Sequence, residues 1–240
     1  MNWDGIISLL LATLETLLLI NLLIFVDKNK QNNLVLILIT LFASYQMMEF
    51  LICNQELKLP IFTYIAFLII TLIPIINYFF ILIITNNLTI KIFSLLGILF
   101  VISGLFFIVF YGINYHLFKV EKCSLFYATY NYTLEFLYGL YYYSPILISF
   151  LLLLKLIRNT NKLEGRKKLL PLLIGYFFII IPPVLGFTLL LFNFELLLKS
   201  MESILCKFAF FYALCLSYYS LSNSKFKDER NYLKYLSGYK

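Results

Sequence analysis

Charge is scarce in this sequence. Only 13% of its 240 residues are charged and 62% are hydrophobic, whereas a soluble domain carries about 25% charged residues. A soluble globular domain is therefore excluded. Histidine is scarcer still, at one residue, and the four cysteines form no C-x-x-C pair. We accordingly expect no metal site, no cofactor and, without a paired set of catalytic side chains, no enzymatic activity.

Long apolar runs are what the sequence has instead. Seven of them approach or exceed the roughly 18 to 20 residues that a helix needs to cross about 30 Å of hydrocarbon. They cover residues 6–26, 34–53, 61–84, 92–113, 137–157, 169–192 and 203–221. Because helices satisfy their own backbone hydrogen bonds in lipid, we predict an all-α, polytopic bundle of seven transmembrane helices over residues 1–221. A short basic tail follows at 222–240.

The basic residues indicate the orientation of this bundle. With the N-terminus outside, 14 of the 19 Lys and Arg residues fall in cytoplasmic loops or the tail, as the positive-inside rule requires. The net charge of +7 thus lies beside anionic lipid, and we expect membrane lipids rather than nucleic acid as its partner. The predicted location is the plasma or inner membrane of the cell.

Ionisable side chains inside a membrane are costly and often functional. Glu15 lies near the middle of the first segment, Glu49 about one turn from the outer end of the second, and Lys207 about one turn inside the seventh. Asn77 is a further buried polar residue, in the third segment. For Glu15 the cheapest state is a protonated carboxyl hydrogen-bonded to a neighbouring helix, and a purely structural role is equally compatible with its position.

Most of the polar groups converge on the outer half of the bundle. Glu135 begins the fifth segment, and Asn114 and His116 follow the fourth. One interpretation is an outward-facing small-molecule site formed by Glu49, Lys207, Glu135, Asn114 and His116. The competing interpretation is a structural ion pair between Glu49 and Lys207, or a Lys207 that extends its ammonium to the membrane surface.

Cysteine and tyrosine add two open questions at the outer side. Cys53 and Cys123 could form a disulfide in an oxidising exterior, although cysteines in membrane helices are commonly small packing residues. Residues 126–143 contain seven tyrosines. Tyrosine at this depth is typical of the aromatic belt at the membrane surface, which we favour over an aromatic ligand site.

Three short motifs resemble the seven-helix N-terminal sensor domain of bacterial histidine kinases and related receptors. The first is Ser44-Tyr45-Gln46-Met47-Met48-Glu49-Phe50-Leu51, followed by Tyr64 and Pro74. The second is Asn114-Tyr115-His116-Leu117-Phe118, similar to an N-x-x-H-like turn but with one residue between Asn and His. The third is Arg166-Lys167-Lys168 before the sixth segment.

The resemblance implies a receptor in which an extracellular pocket detects a small molecule or condition and the bundle relays it to the cytoplasm. The tail at 222–240 is too short to hold a kinase, cyclase or phosphatase segment. We therefore expect one of two situations. The protein is a sensor that acts on a separate cytoplasmic partner or as a homodimer, or the chain has been cut from a longer protein.

Other functions stay open at this level. A small-solute transporter is the main alternative, since bent helices and buried carboxylates also suit substrate passage, and a structural or assembly role is the next. A retinal protein is disfavoured because Lys207 lies near the surface and residues 61–84 contain no acid to balance a Schiff base.

Overall fold

The computed structural model describes residues 4–54, 59–85, 91–125, 128–160, 163–191 and 201–237. Within these ranges it contains seven α-helices and one β-hairpin. The helices are α1 (Ile6–Phe25), α2 (Lys30–Asn54), α3 (Pro60–Thr85), α4 (Lys91–Ile113), α5 (Glu135–Asn159), α6 (Leu163–Leu191) and α7 (Met201–Ser237). Each covers one of the seven predicted apolar runs, with two exceptions at run ends: Val26, which ends the first run, is extended just beyond α1, and Phe192, which ends the sixth, lies outside the described residues.

Six of the seven described helices are long and apolar enough to cross a membrane. They are α1, α2, α3, α5, α4 from Ile92 onward, and α7 between Ser203 and Ser224. This confirms the prediction of an all-α, multi-pass membrane bundle. The crossing by α6 and the orientation of the bundle stay predictions.

The last helix is longer than its apolar run. α7 continues past Leu221 to Ser237, because this stretch contains neither Gly nor Pro and nothing in it breaks the helix. Gly238, a residue type common just after a helix end, follows directly. The segment that the sequence analysis separated as a tail thus begins as a continuation of α7, and residues 238–240 lie outside the described part.

A β-hairpin joins α4 to α5 at the end of the bundle where α1 begins, which we call the hairpin end. After a 3-10 turn at Tyr115–Leu117, β1 (Lys119–Cys123) pairs with antiparallel β2 (Ala128–Asn131). The register shifts between Val120 and Lys122, as a β-bulge does. The sequence analysis predicted only a long connection here.

Bonds join the hairpin to α2, to α7 and to the residue just before α1. A disulfide joins Cys53 of α2 to Cys123 of β1, with the two Cα atoms 5.6 Å apart. The backbone N–H of Gly5, just before α1, donates to the Ser124 carbonyl at 3.1 Å, and that of Ala128 donates to Ser203 Oγ of α7 at 3.1 Å. The disulfide interpretation of Cys53 and Cys123 is therefore confirmed over the packing interpretation.

The tyrosines near the hairpin are buried rather than displayed at the membrane surface. Tyr130, Tyr132, Tyr138, Tyr141 and Tyr142 are all less than 8% exposed. The rings of Tyr130, Tyr132 and Tyr138 pack around Phe67 of α3, whose centroid lies 4.4 Å from that of Tyr132 and 5.3 Å from that of Tyr138. The rings of Tyr141 and Tyr142 pack against Tyr138. The belt prediction was wrong for these five residues because the hairpin folds back over the helix ends; Tyr127 lies outside the described residues.

Helices α6 and α7 pack closely along each other at Gly175. A Cβ atom on Gly175 would lie 2.6 Å from Tyr212 Cδ2 and 2.9 Å from Cys215 Cβ, closer than packed atoms come. The absence of a side chain here lets the two helices approach.

We expect Gly175→Ala to destabilise the protein by about 1–3 kcal/mol, the range for overpacked cores. The matched control is Gly139→Ala in α5, where the added Cβ would lie 4.0 Å from the nearest side chain and Ala favours the helix by up to about 1 kcal/mol. Unfolding of both variants in mixed detergent micelles, followed by circular dichroism, measures the difference. Equal stabilities would show that α6 does not approach α7 at Gly175.

Candidate functional site

Four polar side chains from three helices meet inside the bundle near its hairpin end. Ser8 comes from α1, Gln46 and Glu49 from α2, and Lys207 from α7. Gln46 and Glu49 share a face because residues three apart are neighbours on a helix, and the adjacent buried positions on that face are apolar. We call Ser8, Gln46, Glu49 and Lys207 the polar cluster.

The Lys207 ammonium is the centre of the polar cluster. Its Nζ donates to Glu49 Oε1 at 2.5 Å, to Ser8 Oγ at 2.8 Å and to Gln46 Oε1 at 2.9 Å. An ammonium has three N–H donors, so all three are used. The side chain is 14% exposed and points at these acceptors, which corresponds to the ion-pair interpretation rather than to an ammonium extended to the membrane surface.

The other members of the polar cluster bond to one another in a consistent pattern. Ser8 Oγ donates to Glu49 Oε1 at 2.8 Å while it accepts from Lys207. Gln46 Nε2 donates to the backbone carbonyl of Cys206 at 2.7 Å. Glu49 is 1% exposed, and its second oxygen, Oε2, has no hydrogen-bond partner in the described part of the chain. The polar cluster therefore ties α1, α2 and α7 together through a nearly dry ion pair.

Glu15 lies on the same buried face of α1 as Ser8, two turns further into the bundle. Its side chain is fully buried, and it lies close enough to Lys207 to interact with it electrostatically. Neither carboxyl oxygen has a hydrogen-bond partner among the described residues. The bond to a neighbouring helix expected for Glu15 is thus not found in that part of the structure.

The remaining polar residues singled out from the sequence lie apart from the polar cluster. Asn114 donates its amide to the Phe110 carbonyl of its own helix at 2.8 Å. His116 is exposed on the 3-10 turn, where its ring meets that of Tyr115. Glu135 is half-buried at the first position of α5. Of the five residues proposed as one ligand site, the structure pairs Glu49 with Lys207.

Asn77 forms a second buried network with two tyrosines. Its Nδ2 donates to Tyr176 Oη of α6 at 2.8 Å, and its Oδ1 accepts from Tyr212 Oη of α7 at 2.6 Å. All three side chains are at most 2% exposed. Asn77 therefore joins α3 to α6 and α7, and its polarity is accounted for by these bonds.

Sequence reasoning missed Ser8 and Gln46 as members of the site. Both carried a usable signal: Ser8 precedes Glu15 by seven residues and Gln46 precedes Glu49 by three, so each shares a helix face with an acid. Nothing in the sequence indicated that α1 would be the helix packed against this pair. Tyr176 and Tyr212 lay among many aromatic residues and gave no distinguishing signal.

Comparison with known proteins does not place the chain in a family. No family model matches it, and neither a curated protein nor a solved structure does. The resemblance to a sensor domain stays a prediction, and any functional proposal depends on the geometry of the polar cluster.

Proposed function

We propose that this protein is a membrane sensor in which the polar cluster responds to an extracellular small molecule or condition and α7 relays the response to a cytoplasmic partner. One observation carries the proposal. The Glu49–Lys207 ion pair engages α7 near its beginning, and α7 then continues unbroken to Ser237. The roughly 30 residues after Lys207, at 1.5 Å each, form a rod of about 45 Å, so a displacement at the ion pair moves its far end.

An ion pair of this kind suits a two-state element. Burying two charges costs free energy that their attraction only partly returns, so a buried salt bridge is weak evidence for stability. Such pairs are better attested as elements that specify one arrangement over another. Breaking the pair would release α7 from α2 and leave Ser8 and Gln46 free to form other bonds.

Two observations support an extracellular hairpin end. Disulfides persist in oxidising surroundings, and the Cys53–Cys123 bond lies at this end. The opposite end carries Lys155 and Arg158 at the close of α5, and Arg166, Lys167 and Lys168 at the start of α6, as expected for a cytoplasmic side. Redox chemistry and charge thus favour the same orientation in a cell membrane.

The test measures whether the ion pair controls the position of α7. Spin labels at Asn33→Cys, near the start of α2, and Asn223→Cys, near the inner end of the apolar part of α7, report the distance between the two helices by double electron–electron resonance. The background carries Cys206→Ala and Cys215→Ala, which removes the two free thiols. We expect Glu49→Gln to change the mean distance by about 2 Å, the scale of helix shifts in switching proteins.

The matched control is Ser217→Ala, which removes a buried hydroxyl of α7 that donates to the Ala213 carbonyl of its own helix, and it should leave the distance unchanged. An unchanged distance in Glu49→Gln would overturn the proposal. So would accumulation of a solute by proteoliposomes that contain the purified protein, because transport and not sensing would then be its activity.

A further inference from the structure

The interface of α1 with α2 and α7 has an unbalanced set of ionisable groups. It holds two carboxyl groups, Glu15 and Glu49, and one ammonium, Lys207. The three donors of Lys207 are already shared among Ser8, Gln46 and Glu49. Nothing in the polar cluster remains to compensate a charge on Glu15.

The helices packed against α1 bury no other lysine or arginine among the side chains that the structure describes. These helices are α2 and α7. The other titratable side chains buried on them are Tyr45 of α2 and Cys206, Tyr212 and Tyr219 of α7, and all four are neutral or negative. Among the residues that the structure describes, Lys207 is the charged group that interacts with Glu15. A buried carboxylate without a partner costs many kcal/mol in a low-dielectric medium and is neutralised instead.

We propose that Glu15 is a proton-binding site, and that its proton decides which carboxylate Lys207 pairs with. With the proton on Glu15, the carboxyl is neutral and Lys207 stays bonded to Glu49. When the O–H bond breaks and the proton passes to water, Glu15 becomes a carboxylate that competes with Glu49 for the same ammonium. Lys207 then turns toward Glu15, and the bonds to Glu49, Ser8 and Gln46 weaken.

A proton fits this position better than a metal cation. Sodium and similar hard cations need several oxygen ligands around them. No group of three or more carboxyl, thiol or imidazole side chains that could hold a metal ion occurs among the described residues, so such side chains form no shell of this kind around Glu15. The inference extends the proposed function, because it names protons as the condition that the polar cluster detects.

Infrared difference spectroscopy of the purified protein in lipid nanodiscs tests proton binding directly. A protonated carboxyl without hydrogen bonds has a C=O stretching band that ionised carboxylates lack. At neutral pH we expect this band in the wild type and its loss in Glu15→Gln. In Glu49→Gln we expect the band to weaken, because Lys207 then has no competing carboxylate and favours the ionised form of Glu15. Glu15→Gln keeps the shape and the neutral state of the protonated side chain. In a second variant, Lys207→Gln, the intensity of the band should grow, since Glu49 then also needs a proton.

The band should disappear in alkaline buffer and return in acidic buffer. It should be the same whether sodium or choline is the buffer cation. A wild-type spectrum without the band, a band that persists in Glu15→Gln, or loss of the band on addition of sodium at constant pH would overturn the proposal.

The spin-label distance separates this inference from the function on which it rests. We expect the distance between residues 33 and 223 to change with pH in the wild type and to be independent of pH in Glu15→Gln. If Glu49→Gln shifts the distance but pH does not, the sensor proposal holds and the proton site is wrong. If the band behaves as expected but neither pH nor Glu49→Gln moves α7, Glu15 binds a proton and the relay through α7 is wrong.

Discussion

Lys207→Met is expected to destabilise the folded bundle by about 3 kcal/mol or more, the cost of removing one partner from a buried ion pair. The loss has two parts. Glu49, at 1% exposure, would keep a carboxyl with no cation beside it, and Ser8 and Gln46 would each lose the donor that now reaches their side-chain oxygens. Met fills nearly the same volume as the lysine stem, so cavity formation contributes little.

The measurement is the free energy of unfolding in mixed detergent micelles, from circular dichroism. Lys155→Met, at an exposed lysine of α5, is the matched control and should change stability by less than about 0.5 kcal/mol. The double variant Glu49→Gln with Lys207→Met removes both charges and should be more stable than Lys207→Met alone. A single variant as stable as the control would mean that the ion pair does not form inside the bundle.

The helices could be predicted from the sequence because a membrane leaves few choices. An apolar run of about 20 residues has to satisfy its backbone internally, and a helix is the way one segment does so. The same reasoning sets the limit of the prediction. A run ends where polar residues begin, but α7 does not end at Leu221, because polar residues that leave the membrane continue a helix as readily as apolar ones.

The candidate site was only partly predictable. Glu49 and Lys207 stood out because charges are costly in lipid, and the structure brings them together. Ser8 and Gln46 did not stand out, because serine and glutamine are tolerated in membrane helices with or without a partner. His116 and Asn114 were grouped with Glu49 because all three were placed near one membrane surface, yet equal depth does not bring helix ends into contact.

The hairpin and the buried tyrosines were missed for a related reason. In strands of four and five residues, an alternation of apolar and polar residues is too short to be distinguished from chance. In β2, moreover, Ala128, Thr129 and Tyr130 are buried in succession. Without the hairpin, tyrosines at the helix ends would face the lipid headgroups. With it, three of them pack around Phe67 and two pack against Tyr138, so one unrecognised pair of strands changed the interpretation of five aromatic residues.

The hairpin is also bonded at the end of the bundle near which the polar cluster lies. It is bonded to the residue before α1, to α2 and to α7. Helices α1, α2 and α7 are the ones that supply the members of the polar cluster. The disulfide is the covalent one of these bonds. Its state should therefore affect both the stability of the bundle and the freedom of the three helices at this end.

Removing the disulfide by Cys53→Ser or Cys123→Ser is expected to destabilise the protein by about 2–4 kcal/mol. The bond closes a loop with a sequence separation of 70 residues, and cross-links that close long loops restrict the unfolded chain most. The two variants should be equally destabilised, because each leaves one free thiol and the same open loop. Cys215→Ser, which removes a free cysteine, is the matched control and should change stability much less.

Thiol counting checks the bond itself before any stability is measured. In denatured protein that has not been reduced, alkylation followed by mass spectrometry should modify two cysteines, Cys206 and Cys215, and after reduction all four. The unreduced Cys53→Ser variant should show three modified thiols, since its Cys123 is released. Four modified thiols in unreduced protein purified from its native membrane would contradict the disulfide, and with it the chemical argument that the hairpin end lies outside the cell.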